Sequence, residues 1–160
     1  MYKLIVFMLL IVFVMVLHAL QADEEIALQA LFQGKHAVNR AAHAAAQQVD
    51  KSKLKEGIVS IDPAAAAREA QLYFQRNLRL DGSNEPLPGS FWRTRADILE
   101  LKVLNEDLTY PYTYTNSAYN YSVTLDKPGV VFIVRLVYPR TYSVLGPITW
   151  EIKGAAELYY

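Results

Sequence analysis

Leu4-Ile-Val-Phe-Met-Leu-Leu-Ile-Val-Phe-Val-Met-Val-Leu17 is fourteen residues without one polar side chain, and how it ends decides the fold. His18 interrupts the run, Ala19-Leu20 extend it, and Gln21-Ala22-Asp23-Glu24-Glu25 closes it. From Leu4 to Leu20 there are 17 residues, about 25 Å of helix, near the short limit for crossing a bilayer. Val, Ile, Leu, Phe and Met fall on every face, whereas the core helix of a soluble domain keeps a polar side. A cleaved signal peptide is the competing reading, and it requires small residues three and one before the cut. A cut after Ala22 puts Leu20 at the outer position, and a cut after Ala19 puts Leu17 there. The sequence therefore predicts an uncleaved, single-pass anchor over residues 1–22. Lys3 on one side of the run keeps the N-terminus in the cytoplasm by the positive-inside rule, and places residues 23–160 outside it.

Those residues are numerous enough for one modest domain. The chain holds 160 residues, with 16 basic and 16 acidic side chains and no cysteine. A zero net charge gives no basic excess for nucleic acid. Without cysteine there are no disulfides, thiolate zinc sites or iron–sulfur clusters.

From Glu24 to Asp50 the residues are helix formers, Ala, Leu, Gln, Glu and Lys, with Gly34 the one weak point. Ala27, Leu31, Val38, Ala41/Ala42, Ala45 and Val49 recur at helical spacing and form one apolar stripe. An alanine-rich stripe suits close packing, so Val38, Ala41, Ala45 and Val49 are expected to seat the helix, which should run unbroken from the membrane to about Val49. Lys51 to Glu56 reads as its solvated end, with Gly57 as the stop. Ile58 to Ile61 is a short extended piece. Asp62-Pro63 is an N-cap followed by proline at the first helical position, opening a second helix to Arg79 with Ala66, Ala70, Tyr73, Phe74 and Leu78 on its apolar face. Residues 23–80 are thus the helical part.

Asp81 to Gly89 is a loop by every local signal. After it the period changes. Leu99, Leu101 and Val103 alternate with Glu100 and Lys102; Tyr119, Tyr121, Val123 and Leu125 alternate with polar residues; Val130 to Tyr138 is almost wholly apolar; and Ile148, Trp150 and Ile152 alternate again, extended by Ala156 and Leu158. Four strands following two helices predict an α+β domain with one four-stranded antiparallel sheet over residues 96–160 and the helices on one face.

Little in the chain looks like catalysis. There is no G-x-S-x-G, H-E-x-x-H, P-loop or G-x-G-x-x-G. His36 and His43 are seven apart on one helix face, about 10.5 Å along the axis, too far to share a metal unaided. His18 reads as an interfacial residue. Asp23-Glu24-Glu25 reads as a solvated collar that stops the span. The expectation is a protein that is not an enzyme, with no metal and no cofactor. The stretch Tyr110-Pro-Tyr112-Thr-Tyr114-Thr-Asn-Ser-Ala-Tyr119-Asn-Tyr121 has two readings: a contact surface of Tyr110, Tyr112, Tyr114, Tyr119 and Tyr121, joined by Trp92, or tyrosines that pack on the sheet.

The anchor followed by Lys35-His-Ala-Val-Asn-Arg-Ala-Ala-His-Ala-Ala-Ala-Gln-Gln-Val-Asp50, then Gly57-Ile-Val-Ser-Ile-Asp-Pro-Ala-Ala-Ala66 and Tyr73-Phe-Gln-Arg-Asn-Leu78, resembles the plan of pilins. The nearer resemblance, shared by the closing strands from Pro128-Gly-Val-Val131 to Ala155-Ala-Glu-Leu158, is to the TadE/TadG-like proteins of tight-adherence, Flp-type pilus systems. It spans most of the chain as a match of composition and order. It implies a minor pilin or assembly component of a cell-envelope machine, with other pilin-like or envelope proteins as partners. One departure is that prepilins place a basic leader before the apolar run and a glutamate at its fifth mature position, whereas Leu4 to Leu17 holds no acid. The alternative is an anchored extracytoplasmic module that binds a wall polymer or peptide through a pocket near Phe91-Trp92 and the tyrosines.

Overall fold

The computed structural model describes residues 2–138, 140 and 146–159. Residues 1, 139, 141–145 and 160, which belong to the predicted anchor and sheet spans, lie outside them.

Helix α1 runs without a break over Tyr2–Ala46. Its apolar first half packs on nothing: Leu4 to Leu17 are all exposed, and the 18-residue window of mean hydropathy 2.7 is 0% buried. It is the one candidate membrane span among the described residues. The second half is the spine of the domain, with Ala27, Ala30, Ala37, Val38, Ala41, Ala42, Ala45 and Ala46 buried. The helix ends at Ala46 and not at Val49. Val49 instead forms an isolated bridge with Ile61, partly buried against the core. Lys51–Lys55 is a separate short helix, α2, not the end of α1, because the Asp50 carboxylate accepts from the backbone N–H of Ser52 and Lys53 and starts a new turn. Gly57, at φ +78°, supplies the stop.

Helix α3 covers Pro63–Leu78, and its start follows the chemistry of its sequence: the Asp62 carboxylate caps the N–H of Ala64 and Ala65, and Pro63 opens the first turn. Ala66, Ala70, Phe74 and Leu78 are buried, but Tyr73 points outward and is 43% exposed, so it does not belong to the apolar face.

Five strands follow: β1 Asp97–Leu104, β2 Tyr112–Asn116, β3 Tyr121–Leu125, β4 Gly129–Tyr138 and β5 Ile148–Glu157. They do not make one four-stranded sheet. β1, β4 and β5 form a three-stranded antiparallel sheet in the order β1-β4-β5, and β2 and β3 form a separate two-stranded hairpin. The physical reason lies in β4, which is apolar on both faces and needs a cover on each. Val130, Phe132, Val134, Leu136 and Tyr138 face α1 and α3, while Val131 and Ile133 on the other side pack with Leu104, Tyr114 and Leu125. The hairpin is therefore a third layer. A bulge between Ile98 and Glu100 also breaks the alternation expected for β1. Ile98, Leu101 and Val103 join the helix-side core, and Leu99 is turned to the hairpin side.

Two glycines set how closely helix and sheet approach. A Cβ on Gly34 would stand 2.7 Å from Ile152 Cδ1 and 2.8 Å from Leu136 Cδ1; one on Gly154 would stand 2.9 Å from Val38 Cγ1. Beside α1, on the same face of the sheet, Phe74 of α3 meets Phe132 edge-on, ring centroids 5.5 Å apart. At the distal end, Asn105 exchanges two 2.9 Å hydrogen bonds with the backbone of Ile61, tying the extended piece to the sheet.

Candidate functional site

β4 runs down toward the apolar half of α1 and delivers Tyr138 to Asp23. Asp23 is buried, 1% exposed, not a solvated collar residue. The Tyr138 hydroxyl donates to its Oδ1 at 3.1 Å, and Arg140 Nη1 donates to its Oδ2 at 3.0 Å. The same guanidinium nitrogen donates to Glu24 Oε1 at 3.0 Å, and Arg140 Nε donates to the Gly146 carbonyl at 3.0 Å. The two carboxylates, Glu24 first and Asp23 next, hold the Arg140 pKa above its ordinary value. Glu24 itself is 59% exposed at its side chain, so of the collar only Asp23 is structural. A buried carboxylate is tolerated because charge and hydrogen bonds both compensate it.

Above this clasp lies an aromatic stack. Tyr138 is sandwiched between Phe91 and Trp150, with centroids 5.8 Å from each. Trp92 meets Phe91 edge-on and is 2% exposed in the main core. Trp92 therefore has no face to offer a partner, contrary to the expectation that it belongs to a contact surface.

The tyrosine stretch folds as the β2–β3 hairpin and the turn between its strands. Tyr114 is buried at 7% exposure, and Tyr110, Tyr112, Tyr119 and Tyr121 are half-buried on the hairpin-side core. The Tyr110 hydroxyl donates to the Asn105 carbonyl at 2.9 Å, and burial pushes its pKa up to about 12. Burial likewise raises Tyr114 and Tyr121. What the hairpin turns outward is hydroxyl: Thr113 with Thr124 at 2.9 Å and Thr115 with Ser122 at 3.3 Å. Period-two alternation between tyrosine and threonine places all the rings on one side.

Val38, Ala41 and Ala45 are fully buried on α1, as the stripe implied. His36 and His43 lie on the exposed side of the helix, and His18 pairs with Gln21 at 3.3 Å. Among the described residues no three His, Cys, Asp or Glu side chains converge as a metal site. The exposed side of α1 carries a short apolar ridge, Leu28 at 55% and Phe32 at 58% exposure. Open grooves flank it, one of about 480 Å³ bounded by His36, Arg40 and Asn77, the other of about 390 Å³ bounded by Lys35, Tyr121 and Glu151.

Sequence reasoning missed Asp23, Tyr138 and Arg140 as a unit. The signal for Asp23 was present: it stands four residues before Ala27 and so falls in register with the buried stripe. Nothing local marked Arg140 as its partner, which lies 117 positions away. No family model, curated protein or solved structure matches this chain.

Proposed function

We propose that this protein is a membrane-anchored structural or assembly component of a cell-envelope machine, of the pilin-like kind that its sequence resembles. The observation that carries the reading is the single helix α1, apolar and uncovered over its first half and buried in the domain over its second. That plan couples a bilayer span rigidly to a folded head. The Leu28–Phe32 ridge supports the same reading, because it continues an apolar helix surface beyond the span, where a similar chain can pack. The orientation follows from Lys3, with the head outside the cytoplasm. An anchored binding module is less well supported, since Trp92 and Tyr114 are used up in packing.

The test is to shear the surface of native cells and measure the intact mass of the protein in the sheared and membrane fractions. Full-length protein confined to the membrane supports an anchored assembly component. A shortened chain in the sheared fraction overturns the uncleaved anchor and makes it an exported or filament subunit.

A further inference from the structure

The main sheet ends on β5, whose outer edge pairs with no strand among the described residues. Just past the end of the β4–β5 ladder, the Leu158 N–H donates to the Pro128 carbonyl at 2.7 Å. Antiparallel pairs alternate between bonded and non-bonded, and the register runs without a shift from Gly129↔Glu157 to Tyr138↔Ile148. The even-numbered residues of β5 therefore bond to β4. The N–H and C=O groups of Thr149, Glu151, Lys153, Ala155 and Glu157 point outward. The Glu157 carbonyl agrees with this parity, since it accepts from Gln47 Nε2 at 3.4 Å and closes the upper end of the edge. The outward groups of the other four have no hydrogen-bond partner among the described residues. The opposite edge, β1, is interrupted by its bulge between Ile98 and Glu100, which blunts it for pairing; β5 has none.

Space lies beside the open edge. The groove of about 390 Å³ is lined by Leu31, Phe32 and Lys35 of α1 and by Tyr121 of the hairpin layer, with Glu151, Ile152 and Lys153 between them. α1 covers one face of β5 and the hairpin the other, so a groove that touches both straddles the edge. Lys35 and Lys153 make no ion pair among the described residues, whereas Glu151 is paired with Arg135 at 2.9 Å. Glu157, on the same face as Lys153, is about 13 Å further along the strand, and its carboxylate accepts from the Asp126 N–H. Glu25 lies about 15 Å below Lys35 on α1. The uncompensated charge in the lining is therefore positive.

We propose that an extended, acidic segment of another protein adds to β5 as a fourth strand, with apolar side chains on Leu31, Phe32 and Tyr121 and carboxylates at Lys35 and Lys153. Main-chain bonds to the edge supply affinity, and the flanking groove supplies specificity. A second copy in the same bilayer does not fit. β5 rises alongside α1, with Ile152 against Gly34 and Glu157 at Gln47, so two anchored copies present parallel β5 strands. A strand that meets its own copy across a two-fold axis does so antiparallel. Strand addition goes beyond the assembly role proposed above, and uses the anchor only to exclude the second copy.

The test is residue-resolved amide hydrogen exchange on the full-length protein in lipid nanodiscs, with and without a blocked peptide alternating valine and aspartate. The peptide is expected to slow exchange at Glu151 and Lys153 and to leave Trp150 and Ile152, already bonded to β4, unchanged. N-methylating alternate amides of the peptide should abolish the effect in one of the two phases. Lys35→Gln and Lys153→Gln should each weaken binding up to about fivefold, the range of an exposed ion pair. Lys153→Pro removes an outward N–H and no ladder bond, so it should block the peptide while Ile152 stays protected. Binding that leaves Glu151 and Lys153 exchanging freely, or no binding at millimolar peptide, overturns strand addition. Equal affinity for a valine–lysine peptide overturns the acidic partner. Protection of these two amides without peptide means the edge is already filled, by a second copy if it rises with protein concentration and by this chain if it does not; either overturns the proposal. Protein that stays outside the nanodiscs sinks the anchor, and the same exchange in free solution then decides the edge.

Discussion

Gly34 illustrates how a residue's cost in one term becomes its purpose in another. By helix propensity it is a weak point worth up to about 1 kcal/mol against alanine. In the fold it is where α1 leans on Ile152 and Leu136, and any Cβ there would overlap both. Gly154 does the same from the strand side against Val38. Gly34→Val and Gly154→Val are each expected to destabilise by about 1–3 kcal/mol, the usual result of overpacking a full core, measured by urea unfolding in detergent. Asp23 was legible only in part, since an acid after an apolar run is usually solvated and its partners come from the other end of the chain. Its burial beside an exposed Glu24 gives a clear ordering. Asp23→Ala strands Tyr138 and Arg140 without their shared acceptor and should lower the melting temperature markedly. Glu24→Ala should leave it nearly unchanged. Equal effects would mean that the clasp is not structural.

At the level of elements, local chemistry carried most of what was readable. The cap Asp62-Pro63 placed the start of α3, and the apolar run Val130–Tyr138 placed β4, because both signals are complete within a few residues. The separate sheets were not readable that way. Tyr112–Asn116 alternates as well as its neighbours do, and only the need to cover the second apolar face of β4 decides that it pairs with Tyr121–Leu125. This layer has a pH signature. Tyr110 is held up to about 12 and Tyr114 and Tyr121 are raised, all chiefly by burial. Unfolded tyrosine ionises near pH 10. Above that pH the unfolded chain loses protons that the folded chain keeps, so stability present below pH 10 is lost as pH rises toward 12. Thermal melts across this range should fall, and Tyr110→Phe should flatten the decline. The Leu28–Phe32 ridge makes its own prediction on α1. In membranes, Phe32→Cys should form an oxidative cross-link between copies, whereas Arg68→Cys, exposed on α3, should not. No cross-link at position 32 would remove the ridge from any assembly contact.

The whole molecule is organised by the continuity of α1 from Tyr2 to Ala46, and that too was legible, because nothing between Leu20 and Asp50 breaks a helix except Gly34. Continuity matters because Leu4 to Leu17 are exposed and share no other connection with the domain among the described residues, so the orientation of that run passes through the backbone of residues 18–24 and the clasp at Asp23. Nitroxides at Leu10→Cys and His43→Cys, both exposed sites, are 33 residues apart on one helix, about 50 Å, and should give one narrow distance distribution in the reconstituted protein. Ala22→Pro removes a helical hydrogen bond and collides with the preceding turn, at a cost of about 3 kcal/mol in a helix interior. The core begins at Ala27, so the head should still melt cooperatively and the span should still hold the protein in the membrane. The distance distribution, however, should broaden and shorten. If it stays narrow at the same distance, the clasp at Asp23 fixes the head without the helix. If the head unfolds as well, the junction is part of the core and not a coupling to it.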